Sequence, residues 1–399
     1  MDRRGFLRDT GVATLGIGLG GCSLLRSSAA PRQRVHLVPV DVAWERIIRT
    51  TVGLRPYRES GFVVRAERLD DRMLIHNFGH GGAGMSLSWG TAQLASELAL
   101  ARPERQAAVI GCGVVGLTTA RMLQRRGFGV TIYATALPPE TTSNLSWGGF
   151  TPMSGIVQQD RRTGAWDAQF RRAVDIAYQE LQLLTGRHFG VSWIDEYAPT
   201  NDPGMTNGQT RRATSPNPLL PASVDLERTV LGPGEHPFAT RYARHRPTLR
   251  FEPSIYLDAL MRDVLAFGGR IVVRGFDSPR DLMTLAEPLI VNCTGLGTKR
   301  LFGDDELTPV KGQLVVLVPQ PRVNYIVAGM HPRGDGIVLG HTMQRDDWSV
   351  DVDESEQRRV IETHARLFAS MRARPVVMPP APSPAPVVPP VESFFDRVS

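Results

Sequence analysis

Residues 107–116 read Ala-Ala-Val-Ile-Gly-Cys-Gly-Val-Val-Gly, and this stretch decides the fold. An apolar run typical of a buried strand ends at Ile110, and a helical pattern follows as far as Arg126. Between them, a first glycine permits a tight turn, a second lets the backbone approach a pyrophosphate, and a third lets helix pack on strand. The helix start also offers free N–H groups to phosphate charge. The pattern predicts a dinucleotide-binding turn made of Gly111, Gly113, Val114, Val115 and Gly116.

A second apolar run at Val130–Tyr133 completes a strand–helix–strand unit, but one expected side chain is missing. The second strand of such a unit normally ends in an acid that accepts hydrogen bonds from a ribose. Thr135 occupies that place, and the next acid along the chain is Glu140. The ribose contact is therefore either supplied by Glu140 or lost.

Two glycine-containing segments come before this turn. Residues 53–58 read Gly-Leu-Arg-Pro-Tyr-Arg, and residues 76–90 read His-Asn-Phe-Gly-His-Gly-Gly-Ala-Gly-Met-Ser-Leu-Ser-Trp-Gly. A predicted strand at Leu74–Asn77 leads into the second segment. A helix is predicted over Ser86–Leu98, with Ser86 as its N-cap. The glycine loop therefore lies between a strand and the positive end of a helix.

Together these segments resemble the D-amino-acid oxidase family of flavoproteins. In that family the dinucleotide turn opens the chain and the other two segments close it, whereas here the closing segments come first. We interpret this order as a circular permutation with its splice near Ala101–Arg105. A site is defined in space and not by chain order, so the chemistry would survive.

The resemblance implies an α/β fold with two domains. A Rossmann-like FAD-binding domain would combine residues 53–150 and 253–300. An α+β substrate domain with a mixed or antiparallel sheet would combine residues 151–252 and 301–372. Residues 373–399 form a Pro-rich tail.

The resemblance also implies FAD as the cofactor and assigns segments to it. Thr142 and Ser143 would bind the pyrophosphate, and the backbone of Gly148 and Gly149 would face the flavin ring. Thr294 would pass close to the cofactor, and Phe276 would meet the adenine through its backbone. The glycine loop would hold the pyrimidine edge of the flavin near a positive helix end, through Gly81, Gly82, Gly84, Met85 and Ser86.

For the substrate, the resemblance implies an amino acid or similar amine that is oxidised by hydride transfer to flavin N5. Positioning and electrostatics would then account for most of the rate. Arg55 would form a two-pronged contact with the substrate carboxylate, whereas Arg58 is expected to be structural. Gly82, Tyr325 and His331 complete the candidate catalytic set, and a second tyrosine typical of the family is absent.

Three alternatives for the activity stay open at this point. An oxidase would pass electrons to oxygen. A periplasmic dehydrogenase would pass them to a quinone or carrier and would act on another carboxylate substrate. A non-catalytic flavin-binding lipoprotein is the third alternative, and Thr135 and the missing tyrosine favour it.

The N-terminus has the features of an export signal. The segment Arg3-Arg4-Gly5-Phe6-Leu7-Arg8 resembles a twin-arginine motif, and the apolar run from Gly11 to Gly21 is too short for a membrane span. Leu19-Gly20-Gly21-Cys22 resembles a lipoprotein cleavage box, so Cys22 is a candidate lipid anchor. Residues 1–34 are interpreted as signal and leader, and the expected location is periplasmic.

Composition excludes other classes of function. The net charge of +6 comes from scattered arginines with no dense basic run, so nucleic-acid binding is not expected. Cys112 and Cys293 are interpreted as small buried residues near the cofactor. No His/Cys cluster has metal-ligand spacing, so no metal is expected.

The rest of the chain gives weaker secondary-structure signals. A short strand is predicted at Val35–Val38, and irregular structure is predicted over residues 197–250, which are rich in Pro, Gly, Asn and Arg. Helices are predicted over Trp166–Leu184, Ile255–Phe267 and Glu354–Met371.

Overall fold

The computed structural model describes residues 34–154, 159–202, 219–224, 229–340 and 342–371. The chain divides into two units, Met1–Arg34 and Val35–Ser399, and the elements described here all belong to the second. The residues of the predicted export signal, Arg3–Arg8 and Cys22, and the predicted tail, 373–399, lie outside the described residues.

The described part of the second unit contains fifteen strands and seven α-helices. The strands are β1 (Ile47–Arg58), β2 (Val63–Leu69), β3 (Arg72–Phe78), β4 (Gln106–Ile110), β5 (Gly129–Ala134), β6 (Val191–Thr200), β7 (Thr229–Leu231), β8 (Tyr242–Phe251), β9 (Arg270–Val273), β10 (Leu289–Asn292), β11 (Leu307–Leu317), β12 (Tyr325–Val327), β13 (Met330–Arg333), β14 (Gly336–Leu339) and β15 (Gln344–Arg345). The helices are α1 (Gly84–Ala99), α2 (Val114–Gln124), α3 (Gly164–Leu184), α4 (Pro253–Ala266), α5 (Pro279–Leu282), α6 (Gly297–Phe302) and α7 (Glu354–Ala369).

A six-stranded sheet has the order β2-β3-β10-β4-β5-β9. Its five strands from β3 to β9 are parallel, and β2 pairs with β3 in an antiparallel hairpin. The carboxyl ends of the parallel strands therefore share one edge of the sheet. In open parallel sheets, ligands bind in the crevice at this edge.

Both faces of this sheet are covered, as the alternation of side chains along β4 shows. Ala107 and Val109 face a core shared with α1, α2, α3 and α4. Ala108 and Ile110 face the opposite core, with Leu282 of α5 among its members. A parallel strand buried on two faces has a continuous apolar sequence, and this is why the run before the dinucleotide turn is apolar throughout.

The second sheet has nine strands in the order β1-β11-β14-β13-β12-β6-β8-β7, with β15 paired to β11. β6 and β12 are parallel and the other pairings are antiparallel, so the sheet is mixed. One face packs on α7 through apolar residues such as Val315 and Ile361. On the other face, Leu314, Val316 and Val338 pack against Trp147. The predicted fold class, with its Rossmann-like and mixed-sheet parts, is confirmed.

The chain crosses between the two sheets soon after β1. β1 pairs with β11 along eleven registered positions, from Ile47 opposite Leu317 to Arg58 opposite Leu307, so residues 53–58 lie in the nine-stranded sheet. β3, only fourteen residues later, lies in the six-stranded sheet. The domain boundaries proposed above, which place residue 53 in the FAD-binding part, stay a prediction.

Three local expectations were wrong. Residues 35–38 form no strand, and α1 begins at Gly84 with Ala83 as its N-cap, so Ser86 is not a cap. The expected irregular region instead contains β7, β8 and the end of β6. β8 has Arg244, Arg246 and Arg250 on one face, while Ala243, Leu249 and Phe251 on the other face are buried, so the polar face hides the strand in the composition.

Candidate active site

A cavity of about 550 Å³ lies at the carboxyl edge of the six-stranded sheet and extends to β1 and β11 of the larger sheet. It collects most of the residues that the sequence nominates, although these are spread over more than two hundred positions. The predicted residues that line it are Arg55, Gly81, Gly82, Gly84, Met85, Gly111, Gly113, Val114, Val115, Thr142, Ser143, Gly148, Gly149, Phe276 and Thr294. Gly116, Ser86, Tyr325 and His331 do not line it.

The glycines of the dinucleotide turn are required by backbone packing. Gly111 has a φ of +114°, and a Cβ there would lie 2.5 Å from the carbonyl oxygen of Cys293 on the neighbouring strand end. A Cβ at Gly116 would overlap the carbonyl oxygen of Gly111. Gly116 therefore holds α2 against β4 without reaching the cavity, as its predicted structural role requires.

Ser143 lines the cavity beside the dinucleotide turn. Its Oγ accepts a hydrogen bond from the backbone N–H of Val114, at 3.0 Å, in the first turn of α2. The serine proton then remains available to a ligand oxygen. α2 has no side-chain cap at Gly113, so its positive end also faces the cavity. This arrangement suits a phosphate group.

The glycine loop brings a second helix start to the same cavity. Gly79 and Gly81 have positive φ values of 82° and 56°, which turn the chain from β3 into α1. α1 begins without a side-chain cap, and Gly84 and Met85 of its first turn line the cavity. Two positive helix ends therefore meet one cavity.

Ser86 has a structural role instead of the predicted contact with the cofactor. Its Oγ accepts a hydrogen bond from the backbone N–H of Thr151, at 2.8 Å, and the residue is buried. This bond ties α1 to the segment after Gly149. His80, in the same loop, is buried and shares a 2.9 Å hydrogen bond with Thr91 Oγ1. Burial lowers the pKa of His80 to about 3, so its ring is neutral at neutral pH.

Arg55 presents a guanidinium to the cavity, and no counter-ion is recorded for it within the described ranges. In the described part of the chain its recorded partner is the carbonyl oxygen of Thr342, 3.2 Å from Nη1. A Cβ at Gly312 on β11 would collide with Nη2, so glycine there makes room for the guanidinium. Burial lowers the pKa of Arg55, because its charge is desolvated and not compensated. An anionic ligand would supply the missing charge.

Arg58, three positions along the same strand, is fully engaged. Its Nε donates to Asp304 Oδ2 at 2.9 Å, and Nη1 contacts Ser60 Oγ and lies 3.3 Å from Glu306 Oε2. Arg58 does not line the cavity. The expected structural role of Arg58 matches these contacts.

Tyr325 and His331 lie away from the position that their predicted roles require. Tyr325 is 1% exposed, and its hydroxyl donates to the carbonyl oxygen of Val38 at 2.7 Å inside the core below α7. It therefore cannot contact a ligand in the cavity, and its proposed catalytic role is corrected here. The short strand β12 was aligned with the family by its sequence alone, which does not show which face of the sheet a side chain occupies.

His331 lies behind the cavity wall. Its Nδ1 is 2.9 Å from the carbonyl oxygen of Trp147, and the two rings are 5.0 Å apart. Burial is the largest cause that lowers its pKa, to about 3. The neutral ring positions the Trp147–Gly148 backbone and does not touch a ligand directly, so the catalytic assignment is corrected to a supporting one.

Several lining residues were not found from the sequence. Trp147, Gly312 and Leu314 bring the face of the large sheet to the cavity, and Ser154 lies beside Gly82. Of these, only Trp147 is adjacent in sequence to a predicted site residue, Gly148, and this adjacency could have indicated it. The others depend on strand pairing and on a loop position that no local pattern reports. The sequence also did not indicate two arginines that line the cavity, Arg274 and Arg300.

The cysteines and metal-ligating side chains add no reactive group. Burial raises the pKa of Cys112 and Cys293 to about 12, so both thiols stay protonated. Across the described ranges, no group of three or more His, Cys, Asp or Glu side chains could hold a metal ion. No helix in these ranges is long and apolar enough to cross a membrane.

Comparison with known proteins identifies one family for this chain. The model of the family described as DAO, FAD dependent oxidoreductase, matches residues 30–98 and 106–392. A D-amino-acid oxidase of Streptomyces coelicolor is 28% identical over 279 residues, which cover 65% of this chain and 76% of that protein. A D-aspartate oxidase of Homo sapiens is 25% identical over 278 residues, which cover 66% and 76%. The L-proline dehydrogenase of P. horikoshii matches with a TM-score of 0.47 at 15% identity, over 67% and 78% of the two chains.

The residues of the cavity fit FAD. At one end, Gly111, Gly113 and Ser143 form a cradle with free donors where a pyrophosphate needs close backbone approach. At the other end, the first turn of α1 offers donors at a positive helix end, beside Gly82. Arg55 lies beyond Gly82, whose added Cβ would be 3.4 Å from Arg55 Cδ.

Proposed function

The chain belongs to the DAO family of FAD-dependent oxidoreductases, and we propose that it oxidises the CH–NH2 or CH–NH group of an amino acid or similar amine. One observation carries the proposal. The guanidinium of Arg55, for which no ion pair is recorded among the described residues, lines the cavity next to the glycine loop, at the end of the cofactor site away from the dinucleotide turn.

The chemistry of this site depends on binding and orientation. Bound FAD would supply the acceptor for the hydride of the substrate carbon. Arg55 binds the substrate carboxylate with two parallel hydrogen bonds, which fix both distance and orientation. Leu314 and Trp147 keep water from the same region, and this strengthens the charge pair. The first turn of α1 stabilises negative charge that develops at its positive end.

No described side chain at the Arg55 end acts as a general base. His80, which belongs to the glycine loop and lines the cavity, is neutral and bonded to Thr91. The proposal therefore requires a substrate that binds with its amine unprotonated, so that its lone pair assists hydride departure.

The test is anaerobic mixing of the purified holoenzyme with D- and L-amino acids and with simple secondary amines. Loss of flavin absorbance with one of these substrates is the expected result, and its stereochemistry defines the substrate. Admission of air then distinguishes an oxidase, which recovers its colour at once, from a dehydrogenase that needs a quinone or carrier. A holoenzyme that dithionite reduces but no amine in the panel reduces would contradict the proposal.

We also propose that the chain is a circular permutation of its family. The family model matches two separate segments, 30–98 and 106–392, and the interruption falls at the linker between α1 and β4. The other required junction is supported by Tyr325. Its hydroxyl lies 2.7 Å from the carbonyl oxygen of Val38 and 3.9 Å from Met371 Sδ, so the first and last described residues of the second unit lie close together.

A rejoined chain tests the permutation. It would begin at Gln106, continue to Met371, pass through a short Gly/Ser linker to Val35, and end at Leu100. We expect this protein to fold, to bind FAD and to unfold at nearly the same temperature as the natural chain. An insoluble or flavin-free product, together with a soluble natural chain, would count against the permutation.

The export signal is a separate proposal that rests on the sequence alone. We propose twin-arginine export to the periplasm with lipidation of Cys22, since residues 3–8 and 19–22 have the matching patterns. Cell fractionation of the full chain should place it with periplasmic membranes. Cys22→Ala should release it into the soluble periplasm, and Arg3→Lys with Arg4→Lys should retain it in the cytoplasm. A wild-type protein found in the cytoplasm would refute the proposal.

A further inference from the structure

The adenosine end of the cavity lacks the acid that the dinucleotide pattern normally places at the end of β5. Thr135 stands there, and its Cγ2 lies against the next loop, where a Cβ at Gly275 would be 3.0 Å away. The threonine methyl therefore faces the loop after β9. The threonine hydroxyl is neutral, so it does not supply the charged acceptor that a strand-end acid offers to a ribose diol.

Glu140 is the only acidic residue among the described residues that line the cavity. The chain returns toward the cavity after β5 through a turn in which the N–H of Glu140 donates to the carbonyl oxygen of Leu137 at 2.8 Å. No ion pair is recorded for Glu140 among the described residues, which leaves both carboxylate oxygens available. Glu140 is exposed and lines the same cavity as Thr135 and Gly275, which follow the carboxyl ends of β5 and β9.

Two arginines that line the cavity, Arg274 and Arg300, already have partners within the protein. The guanidinium of Arg274 lies 4.9 Å from the ring centre of Phe276 and donates to Thr284 Oγ1 at 2.5 Å. Arg300 lies 3.2 Å from Asp277 Oδ1. The Glu140 carboxylate would repel a phosphate. It therefore suits a neutral ligand with hydroxyl donors better.

We propose that Glu140 binds the two vicinal hydroxyl groups of the adenosine ribose of FAD, in place of the missing strand-end acid. A carboxylate accepts two hydrogen bonds at once, one on each oxygen, and a 2′,3′-diol presents two donors side by side. Glu140 therefore contributes to the binding of FAD and of ADP through the diol and makes no contribution to the flavin half.

The test compares ADP with 2′,3′-dideoxy-ADP as competitors for FAD on the apoprotein, in the wild type and in Glu140→Ala. The wild type should bind ADP at least about tenfold more tightly than the dideoxy analogue, as expected for hydrogen bonds to a charged group. Glu140→Ala should remove this preference while leaving the dideoxy analogue unaffected. Glu45→Ala, an exposed acid outside the cavity, is the matched control and should keep the preference.

Three results would overturn the proposal. The first is a Glu140→Ala variant that keeps the wild-type preference for the diol, and the second is one that weakens both nucleotides equally. The third is a wild-type apoprotein on which ADP does not compete with FAD. Because these readouts measure nucleotide binding without turnover, they stay separate from the amine-oxidation test.

Discussion

A helix begins at each end of the cavity, but glycine is found at the two ends for different physical reasons. At the α2 end, added Cβ atoms at Gly111 and Gly116 would meet the protein's own backbone. At the α1 end, a Cβ at Gly84 would meet nothing closer than 3.6 Å, and at Gly82 the nearest atom is the side-chain oxygen of Ser154. Gly111 and Gly116 are therefore fixed by contact with the backbone, whereas a Cβ at Gly82 or Gly84 would meet only side-chain atoms.

This difference separates signals of fold from signals of function. A dinucleotide turn indicates a strand–helix contact whether or not a ligand binds. In the glycine loop before α1, the positive φ values of Gly79 and Gly81 also serve the fold, but Gly82 and Gly84 line the cavity, and no ion pair is recorded for Arg55 among the described residues. The function is therefore better argued from the α1 end than from the pattern that first reveals the fold.

Gly116→Ala and Gly84→Ala give the largest expected contrast. The new methyl at position 116 would overlap a backbone oxygen that cannot move without shifting β4, and the free energy of unfolding should fall by about 3 kcal/mol or more. Gly84→Ala should change it by less than about 1 kcal/mol, because the position is helical with φ −53° and has space. Denaturant unfolding of both variants measures the contrast. Equal losses would remove the distinction between the two ends.

Acid should weaken the protein through His80 beside α1 and His331 behind Gly148. The folded-state pKa of each is about 3, below the ordinary value of 6.5, so between these values the unfolded chain binds protons that the folded protein does not. Stability is therefore fully retained above about pH 6.5 and falls as the pH is lowered, by about 2 kcal/mol per histidine at pH 5. Urea unfolding at pH 7 and pH 5 checks this.

His331→Gln sharpens the acid prediction. The variant should lose about 2 kcal/mol of the fall in stability between pH 7 and pH 5, which is the part that His331 contributes. A wild-type protein that is equally stable at pH 5 and pH 7 would show that neither ring is held neutral by burial.

Ser143→Ala tests the α2 end with the smallest expected effect. The change removes one hydroxyl donor to the pyrophosphate but frees the Val114 N–H to take its place. The affinity for FAD should therefore fall by only about 1 kcal/mol, roughly fivefold. Fluorescence titration of the apoprotein measures it, with Ser370→Ala as a control outside the cavity. An undetectable change would mean that Ser143 serves only to hold the start of α2.

The sequence predicted the α2 end well because its information is local. The glycine spacing, the apolar strand and the helix all lie within about twenty residues, and hydrophobic period and turn chemistry report them directly. Arg55 and the glycine loop were found through their similarity to a family, and strand pairing brings them to the cavity. Their placement required β1 to pair with β11, a contact across some 250 residues that no short pattern encodes.

The failures have the same physical origin. Tyr325 lies on a three-residue strand, where a shift of one position moves a side chain from the cavity face to the core face. Ser86 has the residue type of a cap, but its hydroxyl accepts from Thr151, which is distant in sequence. β8 was missed because a strand with one polar face resembles an irregular segment in composition.

The most direct test of the central claim is the value of kcat/KM for the best amine substrate in Arg55→Met, with Arg58→Met as the matched control. Loss of a hydrogen-bonded charge pair and of substrate orientation should lower kcat/KM at least about a hundredfold in Arg55→Met, with FAD still bound. Arg58→Met should instead lower the unfolding temperature and leave the substrate KM close to that of the wild type, because its partners are Asp304 and Glu306. An Arg55→Met enzyme with wild-type kcat/KM for a carboxylate substrate would contradict the account.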